Sequence, residues 1–330
     1  MLKRLLVVCA LLLFILLPVA SCSIANDSAI TLVPASANTV VQIQIGQILS
    51  NPALKKTYDE LAKIKPLWPQ SADEVLNQML QNTGVDPYTI TTTILFAAID
   101  SANKTQNTYH GIIASGSFDE SSLIAKIEEQ THQVMTNSEY KGFKIYSSKE
   151  HGKSELAFIG EDQIVIGASK AVRDTIDIVK GDQEPLTGNI ITALKRVGTA
   201  QITGVFVPLK NLPHQVGESG SQQPPFSLEA FQDIDMVAFS IDLQVLNLSS
   251  RIDVHFSDDA KIPDAKDAII DMISIAKATT QEETIKTSLS NIKVSTADSW
   301  VSVRGMTSLA DLSTLSVHIP PSNKGIDCCH

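Results

Sequence analysis

Most of the alternating apolar segments in this chain follow one another across short polar turns, with no helix between them. Residues 94–99 and 110–115 read this way, as do the segments around Phe143, Phe158 and Ile164, and later 236–245 and 250–256. A chain that reverses directly from strand to strand makes antiparallel pairs, because a parallel pair needs a crossover of a dozen residues or more. Helical periodicity falls between these hairpins and not after every strand, which excludes a doubly wound nucleotide-binding sheet. The predicted class is α+β, with largely antiparallel sheets and helices on one face.

Local signals place the elements. Residues 39–46 alternate, with Val41, Ile43 and Ile45 on one side and Gln42 and Gln44 on the other, as in a half-buried strand. Asn51-Pro52 suits an N-cap and first helical position, with Leu54, Tyr58 and Leu61 on one face. Ser71 with Glu74 makes a capping box for a helix burying Val75, Leu76, Met79 and Leu80, and Gly84 ends it. Further helices are expected over 119–130, 169–179, 189–197, 264–277 and 309–315. In the 264–277 helix Ala268, Ile269, Met272, Ile273 and Ala276 should face inward. Remaining strands are expected over 202–207, 292–294 and 300–303. The order strand, connector, long hairpin, helix, shorter hairpin, helix occurs loosely twice, over 34–186 and 187–318. It suggests two duplicated halves, although no repeat of residues accompanies it and an α+β chain can show such an order without duplication.

The N-terminus speaks of export. Lys3 and Arg4 precede an apolar run of about 13 residues, shorter than the roughly 20 that a spanning helix needs. Pro18 then breaks the helix, and Val19-Ala20-Ser21-Cys22 follows. These four residues resemble the lipobox of bacterial lipoproteins. The resemblance implies removal of residues 1–21 as a signal peptide and a diacylglyceryl group on the sulfur of Cys22. An ordinary cleavage site and an uncleaved anchor are the alternatives. Residues 22–33 would form the lipidated tether, and domain structure would start at Pro34. Localisation to the outer face of a cell membrane, or to an outer membrane, follows from the same reading.

Cysteine usage agrees with an exported body that relies on its core. Between Ser23 and Asp327 there is no cysteine, so internal disulfides are impossible there and no thiol nucleophile is available. Hydrophobic content of 43% supports a packed core. Without the signal's two cations the net charge of −10 becomes about −12. An acidic chain without basic runs argues against nucleic acid and against electrostatic adhesion to anionic headgroups. Membrane attachment would therefore be through covalent lipid.

Three segments carry a second likeness: VPASANTVVQIQI, TGVDP, and the run FDESSLIAKIEE…EYKGFKIY…AFIGEDQIVIGASKAVRDTIDIVKG. Over residues 34–185 the chain resembles a family of exported bacterial proteins known only as a domain of unknown function. The resemblance implies an envelope location and an α+β fold, and it supplies no catalytic motif.

Sequence motifs for chemistry are sparse. Gly152-Lys153-Ser154 lacks the upstream glycine of a phosphate-binding loop, since Ser147 stands there. Ser101 and Lys104 have acylating-enzyme spacing without the companion motifs, and Ser115 and Ser219 have glycine on one side only. No two histidines are four residues apart. The paired carboxylates 119/120, 128/129, 258/259 and 282/283 fit helix ends and solvated faces. Cys328, Cys329 and His330 carry zinc- or copper-binding atoms in a spacing unlike a zinc knuckle, and a plain tail over 319–330 explains them more simply. The sequence thus predicts a membrane-tethered, non-enzymatic binding or structural module with no cofactor, acting on another envelope protein. A carrier of a lipid or other apolar ligand is the alternative, with residues 268–276 as a wall and 208–225 as a lid.

Overall fold

The computed structural model describes residues 28–64, 71–99, 109–148, 154–208, 228–231, 233–244 and 247–308. Twelve strands form one antiparallel sheet, so the α+β class expected from the hairpin pattern is what the chain adopts. The strands are β1 (Thr39–Ile43), β2 (Thr92–Ala98), β3 (Tyr109–Ser115), β4 (Met135–Tyr140), β5 (Phe143–Ser148) and β6 (Ser154–Ile159). They continue with β7 (Gln163–Ala168), β8 (Ile202–Phe206), β9 (Ile234–Gln244), β10 (Asn247–Phe256), β11 (Lys293–Ala297) and β12 (Trp300–Ser308). Their order across the sheet is β11-β12-β10-β9-β8-β1-β2-β3-β7-β6-β5-β4. The first three strands of each expected half, β1-β2-β3 and β8-β9-β10, therefore run outward from a central antiparallel pair, β1 with β8.

Eight α-helices are described: α1 (Ile45–Leu49), α2 (Pro52–Ile64), α3 (Ala72–Thr83), α4 (Glu120–Thr131), α5 (Ser169–Lys180), α6 (Asn189–Val197), α7 (Ile262–Thr279) and α8 (Glu283–Ser290). They do not share one face of the sheet, and here the expectation is corrected. Val40 pairs with Phe96 and Val205, so these residues point to one side, and α5, α6 and a 3-10 turn (Ser28–Leu32) pack over them. Val41, Leu95, Ile43 and Ile202 point to the other side, under α1 and α2. On that same side α4 covers Tyr146, Leu156 and Ile164, and α7 covers Val254 and Val301. Central strands that carry apolar residues at successive positions, such as Val40-Val41, need cover on both faces.

The caps behave as their sequences predict. Ala53 N–H donates to Asn51 Oδ1 (2.7 Å), and Glu74 N–H donates to Ser71 Oγ (3.1 Å). Gly84 and Gly181 end α3 and α5 in the left-handed region. Other expectations shift. Strand β1 stops at Ile43, and Ile45 begins α1, where Ile45 and Ile48 are buried one helical turn apart. The alternation of Val41, Ile43 and Ile45 had hidden that change of period. Leu80 is 42% exposed, because α3 lies outside α2 and α4 and buries only a narrow stripe around Val75. In α7 burial falls on Ile262, Ala265 and Ala268, while Met272 is exposed.

Packed structure also begins earlier than Pro34. Ala29 and Val33 are fully buried against the sheet, and Leu186 N–H donates to Val33 O (2.7 Å). The segments 309–315 and 319–330 lie outside the described residues, as do 209–227.

Candidate functional site

Cys22, Cys328, Cys329 and His330 all lie outside the described residues. Among the described residues no group of three His, Cys, Asp or Glu side chains could hold a metal ion. Six of the eight paired carboxylates have structural partners that explain them. Asp119 caps α4 at Ser122 N–H, Glu128 accepts from Met135 N–H, and Asp258 accepts from Ala260 N–H. Glu120, Glu129 and Glu283 pair with lysines. Ser154 opens β6 and Ser115 closes β3, while Lys104 and Ser219 lie outside the described residues.

The most concentrated chemistry sits where β10, β12 and α6 meet, and no sequence motif announces it. Asp253 alternates inward on β10 and is completely buried. Its carboxylate accepts Arg251 Nε (2.8 Å) and Nη2 (2.6 Å), in a bidentate fork. It also accepts Arg196 Nε from α6 (3.0 Å). Arg196 lies over the Trp300 ring at 4.8 Å, and His255 meets the same ring edge-on at 4.7 Å. His255 Nδ1 is 2.5 Å from Asp235. One buried carboxylate thus fixes two guanidinium groups, one of them stacked on an aromatic plane. The assembly can hold an anion or an acidic group. It offers no nucleophile with an adjacent base.

A shallow cleft, open to solvent, lies between α1, α2 and α3 and is lined by Leu49, Leu54, Tyr58, Val75 and Tyr88 among others. Asn51, which also lines it, is buried, and its Nδ2 has no hydrogen-bond partner among the described residues, while its Oδ1 caps α2. Residues 268–276 do not line this cleft: Ala268 belongs to the core beneath α7 and Met272 faces solvent. Of the expected lid, only Pro208 is described.

Along α5, tyrosines meet carboxylates. Tyr109 Oη donates to Asp174 (2.9 Å), which also accepts Lys170 Nζ (2.6 Å). Tyr140 Oη donates to Asp177 (3.0 Å), beside Lys141. Burial, then the bond to Asp174, pushes the Tyr109 phenol well above the ordinary tyrosine range, although a bond from Ser36 opposes this. Burial also raises Tyr58 and Tyr146, the latter assisted by Glu120. A raised folded pKa contributes stability that is complete below the unfolded value of about 10 and disappears as pH climbs through the folded value. The protein should therefore lose stability from about pH 10 upward. In a spectrophotometric titration Tyr58, Tyr109 and Tyr146 should ionise late, and Tyr109→Phe should make the alkaline loss shallower. Ionisation of every tyrosine at the free-phenol value would overturn this.

These features define an α+β protein built on one broad antiparallel sheet, with a buried ion cluster on one face and no recognisable catalytic set among the described residues. The chain belongs to the family described as protein of unknown function DUF3352, whose profile matches residues 88–294. That match begins later than the likeness seen at 34–185 and extends well past it, into the second half. No curated protein matches the chain in sequence. Among solved structures, crystal form III of TP0453 is 11% identical with a TM-score of 0.48, covering 87% of this chain and 97% of that one. Crystal form I of TP0453 is 11% identical with a TM-score of 0.45, covering 90% and 98%.

Proposed function

We propose that this chain is an exported, lipid-anchored module of the cell envelope that binds another molecule and performs no chemistry of its own. The observation that carries the reading is the N-terminal order: Lys3-Arg4, a short apolar run, then Val19-Ala20-Ser21-Cys22. Packing from Ser28 onward sharpens it. With Cys22 lipidated, only five residues would separate it from the packed turn at Ser28, a reach of at most roughly 20 Å. The body would then stand directly on the membrane surface, anchored by acyl chains, since its net charge opposes adhesion to anionic lipid. The outward order of strands from the β1 and β8 pair supports reading 34–186 and 187–318 as duplicated halves.

Cys22→Ala is expected to abolish incorporation of labelled fatty acid and to release the mature chain from the membrane fraction, or leave it as an uncleaved precursor. Unchanged labelling and processing would sink the anchor. Carriage of an apolar ligand is the second reading, supported by the cleft beside Asn51, whose free amide N–H could meet a carbonyl oxygen. Mass spectrometry of gently purified protein should then show a stoichiometric lipid or other apolar compound; protein free of any such compound rules carriage out.

A further inference from the structure

Arg251, Arg304 and Lys293 are partners in register across β10, β12 and β11, so their side chains rise from one face of the sheet in a single row. Arg304 and Lys293 are exposed, and neither has a carboxylate partner among the described residues. Like charges directly opposite one another on a sheet are destabilising. Edge protection accounts for Lys293, because β11 is the outer strand and lysine there discourages strand addition. It does not account for Arg304, which lies on an interior strand between the other two cations. Asp253 lies two residues from Arg251 and is already committed to Arg251 and Arg196. The next row on this face holds Asp242, which pairs with no cation among the described residues.

We propose that this row, with Arg196 beside it on Trp300, is a binding platform for a phosphate-bearing ligand. The chemistry fits a tetrahedral oxyanion. Arg304 presents a planar donor fork and Lys293 a point charge, while Asp253 takes the forks of Arg251 and Arg196 and fixes these two guanidinium groups beside them before any ligand arrives. In a chain of net charge −10 such a concentration of cations also gives local contrast, which steers an anion to this face. The inference does not depend on lipidation. A free phosphate compound or a phospholipid headgroup could supply the ligand.

The full chain, with Trp68→Phe so that Trp300 alone reports, is mixed with phosphatidylcholine vesicles and titrated with inorganic pyrophosphate. In a second arm the vesicles contain phosphatidylglycerol and no pyrophosphate is added. A saturable change in Trp300 fluorescence with pyrophosphate, weakened roughly tenfold or more in Arg304→Gln/Lys293→Gln, is expected for a free ligand. A change that needs phosphatidylglycerol and is lost in the same double variant identifies a headgroup. Either response should weaken as salt is raised. The proposal is overturned if neither arm responds, if the double variant responds as the parent does, or if a charge-matched control, Lys126→Gln/Lys286→Gln, loses the response equally. Arg304 and Lys293 are exposed and the control lysines half-buried in surface ion pairs, and an unchanged thermal midpoint confirms that each double variant is folded.

Discussion

Asp253→Ala is expected to lower stability by about 3–5 kcal/mol, the range seen when one partner of a buried charge cluster is removed. The side chain is fully buried, and among the described residues it is the one carboxylate paired with two arginines that are themselves only 22% exposed. Without it Arg196 and Arg251 face each other with no anion between them. The stacking of Arg196 on Trp300, which ties α6 to the sheet, loses its anchor. At roughly 2–4 °C per kcal/mol for a chain of this order of size, the midpoint of thermal unfolding should fall by about 6–20 °C. Asp253→Asn keeps the shape and part of the hydrogen bonding, so its loss should be smaller. Replacing the whole cluster with apolar residues (Asp253→Leu, Arg196→Met, Arg251→Met) should recover much of the deficit, because the cost lies in stranded charge. A midpoint for Asp253→Ala within about 1 °C of the parent would show that water already solvates these arginines and that the cluster is not a structural centre.

That cluster was beyond the reach of sequence reading for a definite reason. Arg196, Asp253 and Trp300 are far apart in the chain, and each looks ordinary where it stands. Only the pairing of β10 with β12, and the placement of α6 over them, makes one site of the three. What is legible in one dimension is what local physics decides. Asn51-Pro52 and the Ser71/Glu74 pair start helices where their cap bonds predict, and the turn glycines end them. The hairpins announce an antiparallel sheet. Face assignment needs the partner strand: Val40 and Val41 are both apolar, and only their register with Phe96 and Leu95 shows two covered faces. Strand β4 escapes notice because its sequence, MTNSEY, has the polarity proper to an edge. Helix α8 escapes because it buries no side chain fully, so no apolar stripe marks it.

Gly167→Ala should be the other severe substitution, and its cause is the backbone of a neighbouring strand. Gly167 on β7 stands opposite Gly111 on β3. A Cβ at Gly167 would lie 2.3 Å from His110 O and 2.7 Å from Gly111 Cα, distances that only a shift of one strand against the other can relieve. Gly111 is bare for a related reason: the Phe96 ring lies across it, with Cζ only 2.3 Å from where a Cβ would be. Gly111 therefore leaves the space that the buried Phe96 ring occupies, and Gly167 allows the close approach of the β3 main chain; both lie beneath the core on that face. Overpacking a core costs typically about 1–3 kcal/mol and occasionally more. Because the obstructing atoms at Gly167 are main chain, its cost should reach the upper end or exceed it. The two positions should also differ in how they can be repaired. Phe96→Leu removes the ring and should partly rescue Gly111→Ala, since there the clash is with a side chain. The same change should leave Gly167→Ala as unstable as before, because carbonyl and Cα atoms remain in the way. Chemical denaturation of the four variants measures this directly. Equal rescue at both positions would mean that the strands part easily, and that the close β3–β7 approach is not what demands glycine at 167.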